Sequence, residues 1–171
     1  MNLLKNLNLS EKQLKKFEIY SKTLVEWNEK FNLTAILNED EIEEKHFYDS
    51  LSLLQFFDLK NKTLLDVGTG AGFPGIPLAI AEPNLKVTLL ESNGKKISFL
   101  NHVVEELELE NVSVIQGRAE EFNKRESFDF VTARAVKELN ILLEICFHLV
   151  KVNGAFVAYK YLNANNELEN A

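Results

Sequence analysis

One segment constrains this chain more than any other. The apolar run Thr63-Leu64-Leu65-Asp66-Val67 enters Gly68-Thr69-Gly70-Ala71-Gly72-Phe73-Pro74-Gly75 without a spacer. Glycines at this density free the backbone for a tight turn and let another group approach it closely. Gly75-Ile76-Pro77-Leu78-Ala79-Ile80-Ala81 then reads as a helix, whose first amides attract negative or lone-pair groups. A strand, a glycine crook and a helix in direct succession are the opening unit of a nucleotide-binding α/β sheet.

The rest of the chain fits that unit. Short apolar runs predict strands at Thr63–Val67, Lys86–Glu91, Val112–Gln116, Phe128–Ala133 and Gly154–Tyr159. Helical stretches fall between them, at Gly75–Ala81, Gly94–Leu109, Glu120 to Lys124, and Val136–Val150. Alternation of this kind predicts a mainly parallel, doubly wound sheet with helices on both faces and ligands at the carboxyl ends of the strands. Before residue 60 no strand pattern occurs. Ser10 and Gln13 form a capping-box pair, and Leu14, Phe17, Tyr20, Leu24, Trp27 and Phe31 recur at steps of three and four. Asn38 with Glu41 marks a second helix start, leading through His46 to Leu51 and on to Phe57. Residues 1–60 are therefore expected as a helical cap on a sheet domain spanning 61–171, the two forming one structural unit.

Composition narrows the function. No apolar run reaches the roughly 20 residues of a membrane-spanning helix, and Met1 to Ser10 lacks an apolar signal core. Cys146 is the one cysteine, so no internal disulfide can form, which agrees with a reducing cytoplasm. Its apolar neighbours suggest core. A net charge of −7 argues against nucleic acid. Its distribution softens that objection: residues 1–35 hold six lysines against four glutamates, and residues 36–60 hold seven acids against two lysines. Lys12, Lys15, Lys16 and Lys22 are candidate phosphate contacts. His46, His102 and His148 lack metal-ligand spacing, so no metal site is expected.

The glycine loop has two registers. Gly70, Gly72 and Gly75 satisfy the dinucleotide pattern G-x-G-x-x-G, with Glu91 at roughly the 20-residue distance expected of a ribose carboxylate. Read from Asp66, the loop is D-x-G-x-G-x-G through Gly68, Gly70 and Gly72, which resembles the first motif of S-adenosyl-L-methionine-dependent methyltransferases. In the second register Asp66 stands where a carboxylate could meet the ammonium of a methionine moiety, whereas a pyrophosphate there would be repelled. Glu91 serves a ribose in both. No lysine of the triphosphatase kind follows the loop.

Further segments make the resemblance specific: Asn28 with Phe31-Asn32-Leu33-Thr34-Ala35, His46-Phe47-Tyr48-Asp49-Ser50-Leu51, the extension Pro74-Gly75-Ile76-Pro77, Gly117-Arg118-Ala119-Glu120-Glu121, and Thr132-Ala133-Arg134-Ala135. In this order they resemble the bacterial small-subunit ribosomal RNA methyltransferases G, also called glucose-inhibited division protein B. The resemblance implies a class I, Rossmann-like methyltransferase acting on N7 of a guanosine in 16S ribosomal RNA, as a monomer. Carried over residue by residue, Gly68 and Phe73 line the cofactor pocket, Ala119 and Glu120 sit at the adenine, and Arg134 is a further binding position. Asp66, Gly70, Gly72 and Glu91 join the set on the physical grounds above. His46, Asp49 and Ser50 are candidates for holding RNA or shaping the mouth of the pocket. No catalytic residue is assigned, because N7 carries a free lone pair.

Two departures accompany the resemblance. Lys160 is followed by Tyr161 where the family has glycine, and the family continues past Ala171 with a helix and two strands. On that basis the C-terminal strands are missing, and the fifth strand is an exposed edge. Two alternatives remain at this stage: a non-catalytic RNA-binding relative, and a dinucleotide-dependent oxidoreductase.

Overall fold

Short β-branched and leucine-rich runs assemble the centre of the molecule, the three central ones largely buried and the two outer ones half-buried. The computed structural model describes residues 2–134 and 138–160. Five strands, β1 (Thr63–Val67), β2 (Lys86–Glu91), β3 (Val112–Gln116), β4 (Phe128–Arg134) and β5 (Val150–Tyr159), lie in the order β3-β2-β1-β4-β5. All four pairings are parallel. The order reverses at β1, so β1 and β4 diverge toward opposite sides and open a crevice at their carboxyl ends.

Helices cover both faces, as the alternation predicts. On one face Leu64, Val87, Leu89 and Phe130 join α1 (Glu11–Phe31), α4 (Gly75–Ala81) and α5 (Gly94–Glu106) in one core. On the other, Leu65, Val67, Val131 and Ala133 pack with Leu142 and Cys146 of α6 (Leu139–Cys146). Cys146 is a buried core residue.

The N-terminal cap is helical throughout. In α1, Ser10 Oγ accepts from Gln13 N while Gln13 Oε1 accepts from Ser10 N, and Asn32 closes the helix at φ 47°. Gln13 also donates from Nε2 to the carbonyls of Ile80 and Ala81, so the start of α1 caps the end of α4. Phe17, Tyr20 and Leu24 are fully buried; Leu14, Trp27 and Phe31 are half-buried along the same stripe. The expected second helix runs without a gap but changes type along its length: α2 (Glu39–Ile42), a π-helical turn (Glu43–Tyr48), α3 (Asp49–Leu51) and a 3₁₀ turn (Ser52–Gln55). A π turn inserts an extra residue and re-aims the side chains it carries.

Three other boundaries differ from expectation. The stretch Glu120 to Lys124 holds only a 3₁₀ turn, Ala119–Glu121, and α5 stops at Glu106 because Glu108 turns left-handed at φ 48°. Strand β5 begins at Val150, not Gly154, and the helix expected up to Val150 is α6 followed by a 3₁₀ turn. Asn153 at φ 66° and Gly154 read as a strand start, yet they form a bulge inside β5, with Val150 opposite Phe128 and Ala155 opposite Phe130. A Cβ on Gly154 would lie 2.6 Å from the Asp129 carbonyl, so only glycine fits. Residues 135–137 and 161–171, on which Ala135, Val136 and Tyr161 fall, lie outside the described residues.

Candidate cofactor and substrate site

The chain leaves β1 by folding over β2. Gly68 N and Thr69 N both donate to the Leu90 carbonyl, at 2.8 and 3.2 Å. Gly68, Gly70 and Gly72 all have positive φ, at 63°, 63° and 98°. The requirements at Gly72 and Gly70 differ in kind. A Cβ on Gly72 would lie 2.4 Å from Ile76 Cδ1 and 2.7 Å from Tyr20 Oη, so the missing side chain makes room for the protein itself. A Cβ on Gly70 would meet nothing nearer than the Gly68 carbonyl at 3.9 Å. There a side chain would clash with nothing, and the glycine serves the left-handed backbone.

Asp66 has a different task from the ammonium contact expected of it. Its side chain is fully buried; Oδ2 accepts from Thr69 Oγ1 (2.5 Å) and Gly75 N (3.0 Å), and Oδ1 from Thr132 Oγ1 (3.0 Å). It ties β1, β4, the loop and the first turn of α4 together. Burial raises its pKa to about 6 against the opposing pull of those hydrogen bonds. Glu91 closes the loop from the end of β2: Oε2 accepts from Gly70 N at 3.0 Å, and Oε1 from Ser92 N and Asn93 N at 2.9 Å. Ala119 is buried beyond β3, and Glu120 beside it is exposed.

The cap meets the loop at Phe73. Tyr20 donates from Oη to the Ala71 carbonyl at 2.5 Å, and its ring stacks on Phe73 with centroids 5.4 Å apart. The His46 ring stacks on Phe73 at 4.4 Å, and the Arg134 guanidinium lies 5.3 Å from the same ring centroid. Arg134 Nη1 donates to Asp49 Oδ2 at 3.0 Å and Nη2 to His46 Nδ1 at 2.5 Å. Beside this cluster is a pocket of about 550 Å³, lined by His46, Asp49, Phe56, Phe57, Arg134 and Tyr159 among others. A larger cleft of about 1130 Å³ lies at the opposite, amino ends of the strands, where Lys12 and Lys16 face Glu108 and Glu110. It is remote from the glycine crook and offers mixed charge.

Residues 13–171 match the model of the family described as rRNA small subunit methyltransferase G. The chain belongs to that family. The methyltransferase G proteins of Bacillus cytotoxicus and Bacillus thuringiensis are 51% and 52% identical to it, over 97% of this chain and 72% of each relative. Among solved structures, a SAM-dependent methyltransferase from Aquifex aeolicus matches with a TM-score of 0.53 at 25% identity, over 65% of this chain and 62% of that one. The fold is accordingly the class I, Rossmann-like one.

In this methyltransferase G chain, the sequence-predicted residues gather along one edge of the sheet, in two groups. Gly68, Gly70 and Gly72 form the crook after β1, Glu91 binds it through Gly70 N, and Ala119 and Glu120 follow β3. Phe73, Arg134, His46 and Asp49 form the cluster at the pocket. Ser50 departs from expectation: it is fully buried, and its hydroxyl donates to the His46 carbonyl, which leaves it no face toward RNA. Tyr20, Thr69, Thr132 and Tyr159 were not singled out from the sequence as site residues. Nothing local marks Tyr20 as more than a core residue, and Tyr159, whose Oη donates to the Ser50 carbonyl, is in place only through tertiary folding. Among the described residues no cluster of histidine, cysteine or acids could hold a metal, and no helix is long and apolar enough to cross a membrane.

Proposed function

We propose that this chain is an S-adenosyl-L-methionine-dependent methyltransferase that modifies N7 of a guanosine in 16S ribosomal RNA, acting in the cytoplasm as a monomer on the small ribosomal subunit or its RNA. The supporting observation is the left-handed Gly70 at the carboxyl edge of a parallel sheet, whose amide donates to Glu91 and where a side chain would begin no nearer than 3.9 Å to the Gly68 carbonyl and 4.0 Å to Lys96 Nζ. The residues present fit the cofactor. Backbone of Gly68, Gly70 and Gly72 lets a nucleoside lie close; Glu91 retains lone pairs for ribose hydroxyls; Ala119 and Glu120 flank the adenine; Phe73 and Arg134 take the amino-acid end. Asp66 serves by holding the crook in shape. The cofactor supplies an electrophilic methyl group on a sulfonium.

What the protein must add is position. N7 of guanine needs no deprotonation at neutral pH, so no residue is required as a general base. Fixing acceptor and donor in line supplies about 7–11 kcal/mol of the barrier. The pocket beside Arg134, walled by Phe56 and Phe57 with Asp49 at its rim, is where these residues would hold the acceptor purine, extruded from its stack as base-modifying enzymes require.

The test is incubation with cofactor labelled in the methyl group and with 16S RNA or small subunits from cells lacking the gene. Expected is label in 16S RNA at a site that borohydride and aniline cleave, the signature of N7-methylguanosine. RNA binding without label would favour a non-catalytic relative. Binding of NAD with none of adenosylhomocysteine would sink the cofactor reading.

A further inference from the structure

The inference rests on the reading of Arg134 as a ligand-facing group and concerns what aims it. Arg134 ends β4 with 18% of its side chain exposed. Two cap residues three positions apart grip its fork, Asp49 at Nη1 and His46 at Nη2. Asp49 is half-exposed, and an ion pair so open to water contributes little, about 0–1 kcal/mol. His46 is the buried partner, 6% exposed and laid flat on Phe73 with ring planes 18° apart.

The partners settle the ring's state. Arginine can only donate, so Nδ1 must accept. Nε2 then carries the hydrogen and donates to Thr34 Oγ1 at 2.9 Å, and Thr34 Oγ1 is itself held by Ile36 N at 3.1 Å. Burial, then the Arg134 charge, lower the His46 pKa to about 4, which keeps the ring neutral at physiological pH. His46 sits on the π turn, whose extra residue lets it and Asp49 converge on one guanidinium.

We propose that His46 is a positioning residue: its neutral imidazole, wedged on Phe73, accepts from Arg134 and points the remaining guanidinium N–H groups at the carboxylate of an amino-acid-bearing nucleoside on the glycine loop. Two of the five donors are taken by His46 and Asp49, and no other described residue engages the remaining three. His46 thus acts on the carboxylate through the arginine.

Calorimetry with two probes tests this. Adenosylhomocysteine carries the carboxylate; methylthioadenosine has the same nucleoside without it. H46F keeps an aromatic ring on Phe73 but removes the acceptor, and should weaken adenosylhomocysteine about tenfold, as loss of a hydrogen bond to a charged group does. It should leave methylthioadenosine within about twofold. H46N restores a carbonyl acceptor and should recover most of the loss. In an R134A background, H46F should cost nothing further. Equal weakening of both probes, or an undiminished tenfold loss without Arg134, overturns the proposal. Wild-type chain that binds neither probe sinks the cofactor reading instead. In that case, or should H46F not fold, the ring ¹⁵N shifts of His46 decide alone: a protonated Nδ1 overturns the proposed bond, an unprotonated one upholds it.

Discussion

At the scale of single residues, the loop glycines look equivalent in sequence and are not equivalent in space. Gly72→Ala combines a left-handed backbone, costing about 1–2 kcal/mol, with overpacking against Ile76 and Tyr20, costing about 1–3 kcal/mol more. Gly70→Ala carries only the backbone cost, because its Cβ would meet the Gly68 carbonyl and Lys96 Nζ at ordinary contact distances of 3.9 and 4.0 Å. The expected outcome is a large drop in melting temperature for G72A. G70A should lose only the few degrees that the backbone cost implies, while adenosylhomocysteine affinity falls at least tenfold; unchanged affinity would place the ligand elsewhere. Asp66 makes a pH prediction. An acid whose pKa is raised on folding, here to about 6 by burial, binds its proton more tightly when folded. Its contribution is therefore fully present below about pH 4, is lost as pH rises through about 6, and is flat beyond. The loss is about 3 kcal/mol. Asn in its place can still accept from Gly75 and Thr69 while donating to Thr132, so D66N should be at least as stable as wild type at pH 7.5 and should lose that slope in urea titrations. The position of Asp66 at the strand end was legible from the alternation of Leu64, Leu65 and Val67. Its inward commitment was not, since Thr132 lies 66 residues away in the chain.

At the scale of elements, strands were legible because parallel strands buried on both faces are nearly continuous apolar runs. Helix α1 was legible from its capping box and stripe. The breaks were not. A bulge at Asn153-Gly154 mimics a turn, and the π turn at Glu43–Tyr48 has no mark in periodicity, because it is selected by what His46 and Phe47 must touch. Helix α1 also does more than cover the sheet. Tyr20 reaches from its buried face to the Ala71 carbonyl, so a core position holds up the glycine loop. Tyr20→Phe leaves that acceptor without its donor, at a cost of about 1–3 kcal/mol. We expect lower thermal stability together with weaker adenosylhomocysteine binding. A variant that loses stability with no change in affinity would show that loop and helix are uncoupled.

At the scale of the whole molecule, cap and sheet share one core: Phe17, Tyr20 and Phe47 of the cap belong to the same buried cluster as Leu64 and Leu89 of the sheet and Phe99 of α5. The chain's one tryptophan, Trp27, sits on this seam, stacked on His102 and packed against Phe99. Unfolding followed by Trp27 fluorescence and by far-ultraviolet circular dichroism should therefore give coincident transitions. Two separated midpoints would divide the cap from the sheet.

Sequence alone determined the class of the fold and the strand–glycine–helix unit with its residues, because both depend on local conformational limits and on a period of burial read along the chain. Which of those residues face a ligand and which hold the protein together was decided by tertiary structure. Asp66 turns inward, Ser50 is buried, and His46 grips Arg134 across 88 residues of sequence. Such pairings are long-range, and short-range pattern carries no record of which distant donor a buried acceptor will meet.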